Sequence, residues 1–301
     1  MRVPQITLEE MVGVIALAQG RTLEAAAEMV GISGSGVSKR VRGANRALNT
    51  RLFIKTEEGM SLTEEGETFY PDALRVIEAA VLAEARTKAL LELKSGRLLV
   101  GHSTHLPPRL LAMIHRLEVD EPRGIKVIHR GGITASMKQD VVEGTTHVAF
   151  GTLPVAHPDL IVRQVLEEPV VVCLPSAHPL ASRAVIRPQD LESETIIAVS
   201  RDSSPALHEE IDGFFKSFGV ELQVKLDAFG PPEALAMVEQ RLGICLVGAS
   251  APAGRRGVVV KQLSPQWLTR KSGIFFRQDN THPVVKRFVE IVLQRTAKQR
   301  P

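Results

Sequence analysis

Residues 22–41 read TLEAAAEMVGISGSGVSKRV. Thr22 precedes an Ala-rich run, Leu23 to Val30, that Gly31 ends, and Ser33 then precedes Val37 and Val41 at helical spacing. Thr and Ser accept hydrogen bonds from the free N–H groups of a helix's first turn, and Gly readily takes the left-handed conformation that stops a helix. The spacing predicts helix, glycine turn, helix. Ala25, Ala26 and Ala27 are small enough to let two helices cross closely, and Ile32 packs just ahead of the second of them. Upstream, Leu8, Met11, Val12, Ile15 and Ala16 recur at three- and four-residue spacing. They predict an amphipathic helix capped by Thr7 and closed by Gly20.

Charge separates a nucleic-acid reader from an ordinary helical hairpin. From Met29 to Thr56 the chain has no Asp or Glu but carries Lys39, Arg40, Arg42, Arg46, Arg51 and Lys55. Phosphate contacts need such a face, because displaced counterions supply much of the affinity. The footprint is a patch, since residues 1–95 hold 12 basic and 13 acidic side chains in all. Leu52-Phe53-Ile54, Gly59 and Ser61-Leu62 predict two short strands around a turn, a wing beside the helix-turn-helix. Thr63-Glu64-Glu65 opens the next helix, with Thr63 as cap and acids in the first turn. That helix runs to about Leu93, roughly 40 Å, with Pro71 as a point of bending. One seam is Leu74, Ile77, Val81, Glu84, Lys88 and Leu91, and its neighbour is Ala73, Val76, Ala80, Ala83, Thr87 and Leu90. So broad an apolar face calls for a partner helix, and a dimer would read two half-sites.

The remaining residues alternate strand-like and helix-like runs. Leu98–Ser103, Ile125–His129, Val148–Gly151, Val170–Leu174, Ile196–Ser200, Leu222–Ala228 and Ile244–Val247 read as buried strands. Helical patterns fall near Pro108–Val119, Ala135–Val142, Ala206–Phe218 and Pro232–Gln240. This is the pattern of an α/β sheet. Ligands of open α/β sheets bind beyond the carboxyl ends of strands, where helix N-termini point. That rule selects Ser103, Thr104, His105, Gly132, Thr152, Ser200, Arg201 and Asp202 as effector-binding candidates. Hydroxyls and free amides there favour a polar or anionic small molecule, and Arg201 could hold a carboxylate bidentately.

Composition closes other routes. The 301 residues are 44% hydrophobic and 24% charged, enough for sizeable cores in about two domains. Aromatics make up only 4%, too few for a stacking platform on single strands. Cys173 and Cys245 lie far apart with no C-x-x-C, which excludes a disulfide scaffold and a Cys-rich zinc site and reads as inert core. His102 and His105 lie three apart, with His129 and His147 elsewhere; a metal site would need their convergence, and lone His residues are usually structural or at the surface, so neither metal nor cofactor is expected. The N-terminus has acids and no apolar h-region, and no run is apolar for about 18 residues, so a cytoplasmic protein without membrane contact is expected. A hydrolase elbow would read G-x-S-x-G, but Gly101-His102-Ser103-Thr104-His105 ends in His, and no phosphate loop follows a strand. An enzyme is not expected. A transport binding protein would have no use for the first 94 residues.

The ordered text Ala25-Ala26-Ala27-Glu28, Ile32-Ser33, Val37-Ser38-Lys39-Arg40-Val41, Leu48 to Lys55 and Leu62-Thr63-Glu64-Glu65-Gly66 resembles the LysR-type transcriptional regulators. Gly96 to Gly101, Leu174 to Ala181 and Leu242-Gly243-Ile244 extend the resemblance over essentially the whole chain. It implies a winged helix-turn-helix over 1–66, a linker and dimerisation helix over 67–94, and over 95–301 a two-lobed sensor like periplasmic solute-binding proteins. Lobe I would hold about 95–167 and 264–301 and lobe II about 168–263, with crossings near Glu168 and Leu263. Further implications are double-stranded DNA as partner, a homodimer through the 67–93 helix, a homotetramer, contact with RNA polymerase, and effector contacts from Ser103, His105 and Thr152. A redox- or partner-controlled regulator of the same fold is the alternative. DNA-contact candidates are Ser33, Gly34, Ser35, Gly36, Ser38, Lys39, Arg42, Lys55 and Thr56. Four departures stand out. Gly34-Ser35-Gly36 replaces the family's usual Gln-Pro-like pair, so base reading rests on the serines, Lys39, Arg42 and DNA shape. Asn49 stands for a usual Gly, and Glu57-Glu58 occupies a wing tip that is often basic. His147 replaces a common acid.

Overall fold

The structure is a computed structural model that describes residues 3–120, 126–199, 201, 205–252 and 254–297. The chain forms two compact units, Met1–Thr87 and Lys88–Pro301.

In the first unit α1 (Leu8–Gly20), α2 (Leu23–Val30) and α3 (Gly34–Leu48) pack around Val14, Leu17, Ala26, Val37, Val41 and Ala44. Each predicted cap is present. Thr7 accepts from Glu10 N in a reciprocal capping box, Thr22 from Ala25 N, and Ser33 from Gly36 N. Gly31 (φ 65°) and Asn49 (φ 52°) are left-handed as expected. Gly20 differs: it is the last helical residue, and Arg21 (φ 56°) takes the left-handed position. Glycine is needed at 20 because a Cβ would lie 2.8 Å from the Ala26 amide nitrogen, where α1 meets α2. The wing is an antiparallel pair, β1 (Phe53–Thr56) and β2 (Gly59–Leu62). Helix α4 spans Glu64–Lys94 and continues through Pro71. Thr63 caps it, accepting from Gly66 N at 3.1 Å while its hydroxyl donates to the Arg51 carbonyl.

The second unit is α/β. Its elements are β3 (Arg97–Ser103), α5 (Pro108–Asp120), β4 (Lys126–Gly132), α6 (Thr134–Glu143), β5 (Val148–Thr152), β6 (Leu160–Pro175), β7 (Val185–Ile186), β8 (Thr195–Val199), α7 (Pro205–Lys216), β9 (Gln223–Ala228), α8 (Pro231–Glu239), β10 (Ile244–Gly248), β11 (Val258–Leu263), β12 (Thr269–Arg277) and α9 (Pro283–Ala297). The main path of the sheet runs β4-β3-β5-β12-β6-β10-β8-β9, with β11 and β7 beside it. Strand β6 is the spine. Through Pro169 it pairs with β12, and from Val170 it pairs with β10 and β11. One core gathers Leu98, Val100, Ile114, Phe150, Ile274 and Phe288, and another gathers Val172, Leu174, Ile186, Ile196, Phe214 and Phe215. These are the two lobes.

Two readings change. Val170–Leu174 is the second half of a 16-residue strand rather than a short strand of its own. Strands β7, β11 and β12 and helix α9 have no counterpart among the predicted elements. Strand β12 begins Thr269-Arg270-Lys271-Ser272, so its polar start hides a central strand. Ile125, placed in a strand by the sequence, lies outside the described residues.

His147 shows how a polar residue serves a core. Its Nδ1 accepts from Leu99 N at 2.9 Å and its Nε2 donates to the Ala89 carbonyl at 3.0 Å, so the end of α4 is tied to β3. Only the neutral ring makes both bonds. Burial pushes its pKa below the ordinary value, against the pull of the Ala89 carbonyl. The folded state therefore binds fewer protons than the unfolded state just below the ordinary imidazole range. The stabilisation is full above that range and is lost as pH falls through it. Sensor-unit stability followed by thermal unfolding should drop between about pH 7 and 5. His147→Ala should cost about 2 kcal/mol at pH 8 and flatten that dependence. Equal slopes in both proteins would remove His147 as the cause.

Candidate DNA-binding face and ligand cleft

Helix α3 places Lys39, Arg42 and Arg46 on one exposed face at three- and four-residue spacing. With Asn45, Asn49, Thr50 and Arg51 they line a shallow open surface. The basic run divides here. Arg40 turns inward to Glu9 of α1 at 3.6 Å, so it holds the helices together. Asn45 accepts from Leu52 N at 3.1 Å and ties the recognition helix to the wing.

The serines are less free than the sequence implies. Ser33 Oγ accepts from Gly36 N at 3.1 Å and meets Ser35 Oγ at 2.9 Å. Ser38 is half-buried, and Gly34 and Gly36 offer only backbone. On the wing Lys55 is exposed, whereas the Thr56 hydroxyl donates to the Gly59 carbonyl at 2.9 Å. Glu58, an acid expected to repel phosphate, pairs with Arg21 at 3.5 Å in the open.

In the second unit the selected residues sit where strands end: Ser103 closes β3, Gly132 closes β4 and Thr152 closes β5. Thr104 N donates to the Gly132 carbonyl, and Ser103 Oγ accepts from His105 N at 3.2 Å. Ser103, His105 and Thr152 are all buried. His105 Nε2 donates to the Phe229 carbonyl of the other lobe at 2.9 Å. Burial lowers the His105 pKa, the Phe229 carbonyl pulls it up, and the charges of Arg270 and His208 lower it further. The ring is neutral, with Nδ1 left as an acceptor.

Two cavities flank His105. One of about 220 Å³ is lined by Thr104, His105, Leu106, Pro107, Pro108, Pro231, Pro232, Ala251, Arg255 and Arg270. The other, about 50 Å³, runs into the second lobe past Ile197, Val199, Leu207, Ile211, Leu246 and Val247, and shares His105, Pro231 and Arg270. Arg201 lines neither; it is 63% exposed and pairs with Asp212 at 2.9 Å. Ser200 and Asp202 lie outside the described residues.

Sequence reasoning passed over the centre of the cleft. Arg270 on β12 donates to Thr152 Oγ1 at 3.3 Å and lies 3.7 Å from Glu168 on β6, both side chains being only 3% exposed. Glu168 Oε2 accepts from Ser250 N at 3.1 Å. Burial lowers the Arg270 pKa, and Glu168 opposes that shift. Thr134 at the start of α6 accepts from Thr152 N. The available signal was Glu168, already the expected crossing point, since a carboxylate in an apolar strand needs a cation.

Among the described residues no set of three or more His, Cys, Asp or Glu could hold a metal ion, and no helix is long and apolar enough to cross a membrane.

Residues 8–67 match the profile of the bacterial regulatory helix-turn-helix protein, lysR family, and residues 92–297 that of the LysR substrate binding domain. The chain is 24% identical over 281 residues to the HTH-type transcriptional regulator BudR of Raoultella terrigena, spanning 92% of this chain and 97% of BudR. It is 23% identical over 288 residues to the Hca operon transcriptional activator HcaR of Escherichia coli (strain K12), spanning 94% and 96%. The crystal structure of CbnR, a LysR family transcriptional regulator, shares the fold with a TM-score of 0.67 at 21% identity, over 97% of this chain and 99% of that one. These relatives are regulators and not enzymes. The chain belongs to the LysR family of transcriptional regulators, which bind DNA through the helix-turn-helix and a small-molecule effector through the substrate-binding domain.

Proposed function

We propose that this regulator reads DNA with Lys39, Arg42 and Arg46 and takes its effector at His105, Thr152 and Arg270. The observation that carries the reading is that His105 and Arg270 stand in the walls of both cavities at the lobe junction, with Thr152 holding Arg270 through its hydroxyl at 3.3 Å. Gly34, Ser35, Gly36 and Ser38 bring the helix start close to the base edges, Lys55 anchors the wing on phosphate, and Ser33 acts as cap. A crystal structure of CbnR complexed with its target DNA and one of the QuiR effector-binding domain with shikimate support both halves by analogy. Effector changes the lobes only as far as it binds their two arrangements with different affinity. Two subunits pair along α4, dimers assemble into a tetramer, and the altered spacing of the DNA arms changes access for RNA polymerase. The protein acts in the cytoplasm, where its DNA is.

Cys173 and Cys245 stand directly opposite each other on β6 and β10, which gives the redox alternative a specific observation. Both are fully buried, and the hydrogen bond that the Cys245 thiol gives to Cys173, with burial, raises the Cys245 pKa well above the ordinary value. The thiolate that redox exchange needs is disfavoured, so ligand control is the better reading.

Lys39→Ala and Arg42→Ala should each weaken operator binding and lower the salt slope by about 1 in fluorescence anisotropy. Arg40→Ala should leave the slope unchanged and lower stability. A reversed pattern would move the DNA face elsewhere.

Val76, Val81, Leu90 and Leu91 on α4 are 42–61% exposed. Val81→Glu with Leu91→Glu should turn the dimer into monomer in sedimentation equilibrium, with helicity retained. A dimer of unchanged affinity would rule out the α4 pairing.

An effector at about 100 times its dissociation constant should add about 2.7 kcal/mol to stability and lose that effect in His105→Ala and Thr152→Ala. A ligand whose shift survives both substitutions binds outside the cleft.

A further inference from the structure

The charges around the cleft are already matched. Arg270 faces Glu168 at 3.7 Å, Arg255 faces Glu239 at 3.3 Å, and Asp212 at the rim of the apolar cavity is held by Arg201 at 2.9 Å. His105 is neutral and spends its Nε2 hydrogen on the Phe229 carbonyl. Among the described residues no lysine lines either cavity. A carboxylate entering beside Arg270 would share one guanidinium with the buried carboxylate of Glu168. Two like charges and one opposite charge would then stand in a site of low dielectric, which favours expelling one of them or neutralising it with a proton.

Hydrogen-bonding capacity, unlike charge, is left over. Among the described residues Arg270 Nε, Glu168 Oε1, Ser250 Oγ and Ser272 Oγ are buried and have no hydrogen-bond partner. Arg270 lines both cavities and is 3% exposed, so its guanidinium stands fixed in the wall that a ligand's head would meet. His105 Nδ1 supplies an acceptor on the same wall. Next to these groups the smaller cavity is apolar, with Ile197, Leu246 and Val247 in its lining. A ligand complementary to this surface both accepts and donates a hydrogen bond at one end, is apolar at the other, and brings no net charge.

We propose that the effector of this protein is an uncharged amphipathic molecule, an amide or alcohol head on an apolar body, taken in preference to the carboxylate of the same body. The proposal rests on the cleft reading above. It narrows the polar-or-anionic class that the sequence implies to its uncharged members.

The test is calorimetric titration of the full chain at pH 7.5 with matched pairs: phenylacetamide against phenylacetate, and hexanamide against hexanoate. Each amide should bind at least about tenfold more tightly than its acid, a difference of about 1.4 kcal/mol. Glu168→Gln keeps the shape, removes the competing carboxylate and should shift the ratio toward the acid by about tenfold. Acids binding more tightly than amides to the wild-type protein, or no heat from either amide at millimolar concentration, would overturn the proposal, and this wild-type ratio decides whether or not the variant folds. A ratio unmoved by Glu168→Gln in a folded protein would overturn the charge argument behind it. His105→Ala separates the two layers. Acid binding that His105→Ala abolishes keeps the cleft and rejects the uncharged class, whereas binding of either class that His105→Ala leaves intact rejects the cleft itself.

Discussion

One strand belongs to two sheets. Strand β6 pairs with β12 up to Pro169 and with β10 and β11 beyond it, so both lobes hang on a single run of backbone hydrogen bonds. At the changeover the register sets Arg270 opposite Glu168. Burying either charge alone would cost several kcal/mol, so each requires the other. The pair is costly to keep and more costly to break. Gly248 is part of the same constraint, because a Cβ there would run into the Glu168 carboxylate. What the arrangement secures is position: it fixes a guanidinium at the junction of the lobes, against Thr152 and in the wall of both cavities.

The helix-turn-helix unit shows the opposite arrangement, with the basic side chains on one face of α3 left in water. Lys39, Arg42 and Arg46 are exposed on α3, while Arg40, one residue from Lys39, points back to Glu9. A period of 3.6 residues makes that division unavoidable: neighbours in sequence lie about 100° apart around the helix, so one serves packing and the other faces outward. Val37, Val41 and Ala44 fill the inner side.

Much of the fold was legible because it rests on local rules. Thr7, Thr22, Ser33 and Thr63 cap helices where their spacing said they would, and Gly31 and Asn49 end them. The ends of β3, β4 and β5 bring Ser103, Gly132 and Thr152 to the expected edge. Where local rules were followed too far, the reading slipped. Gly20 looked like a stop signal but serves a close crossing, with Arg21 taking the left-handed turn. Arg201, which from sequence could be a carboxylate clamp or equally a solvated loop charge, is exposed and paired with Asp212.

From its residues alone this chain determined a basic helix-turn-helix, a long apolar-faced helix and an α/β sensor, because caps, periodicity and charge runs act over a few residues. Only the tertiary structure decided that Arg270, 102 positions from Glu168, faces it in the wall of both cavities, that Cys173 faces Cys245, and that His147 joins Ala89 to Leu99. Those pairings depend on strand register and lobe crossing. Register is set by the burial of whole strand faces against distant partners, and no local window of sequence contains that information.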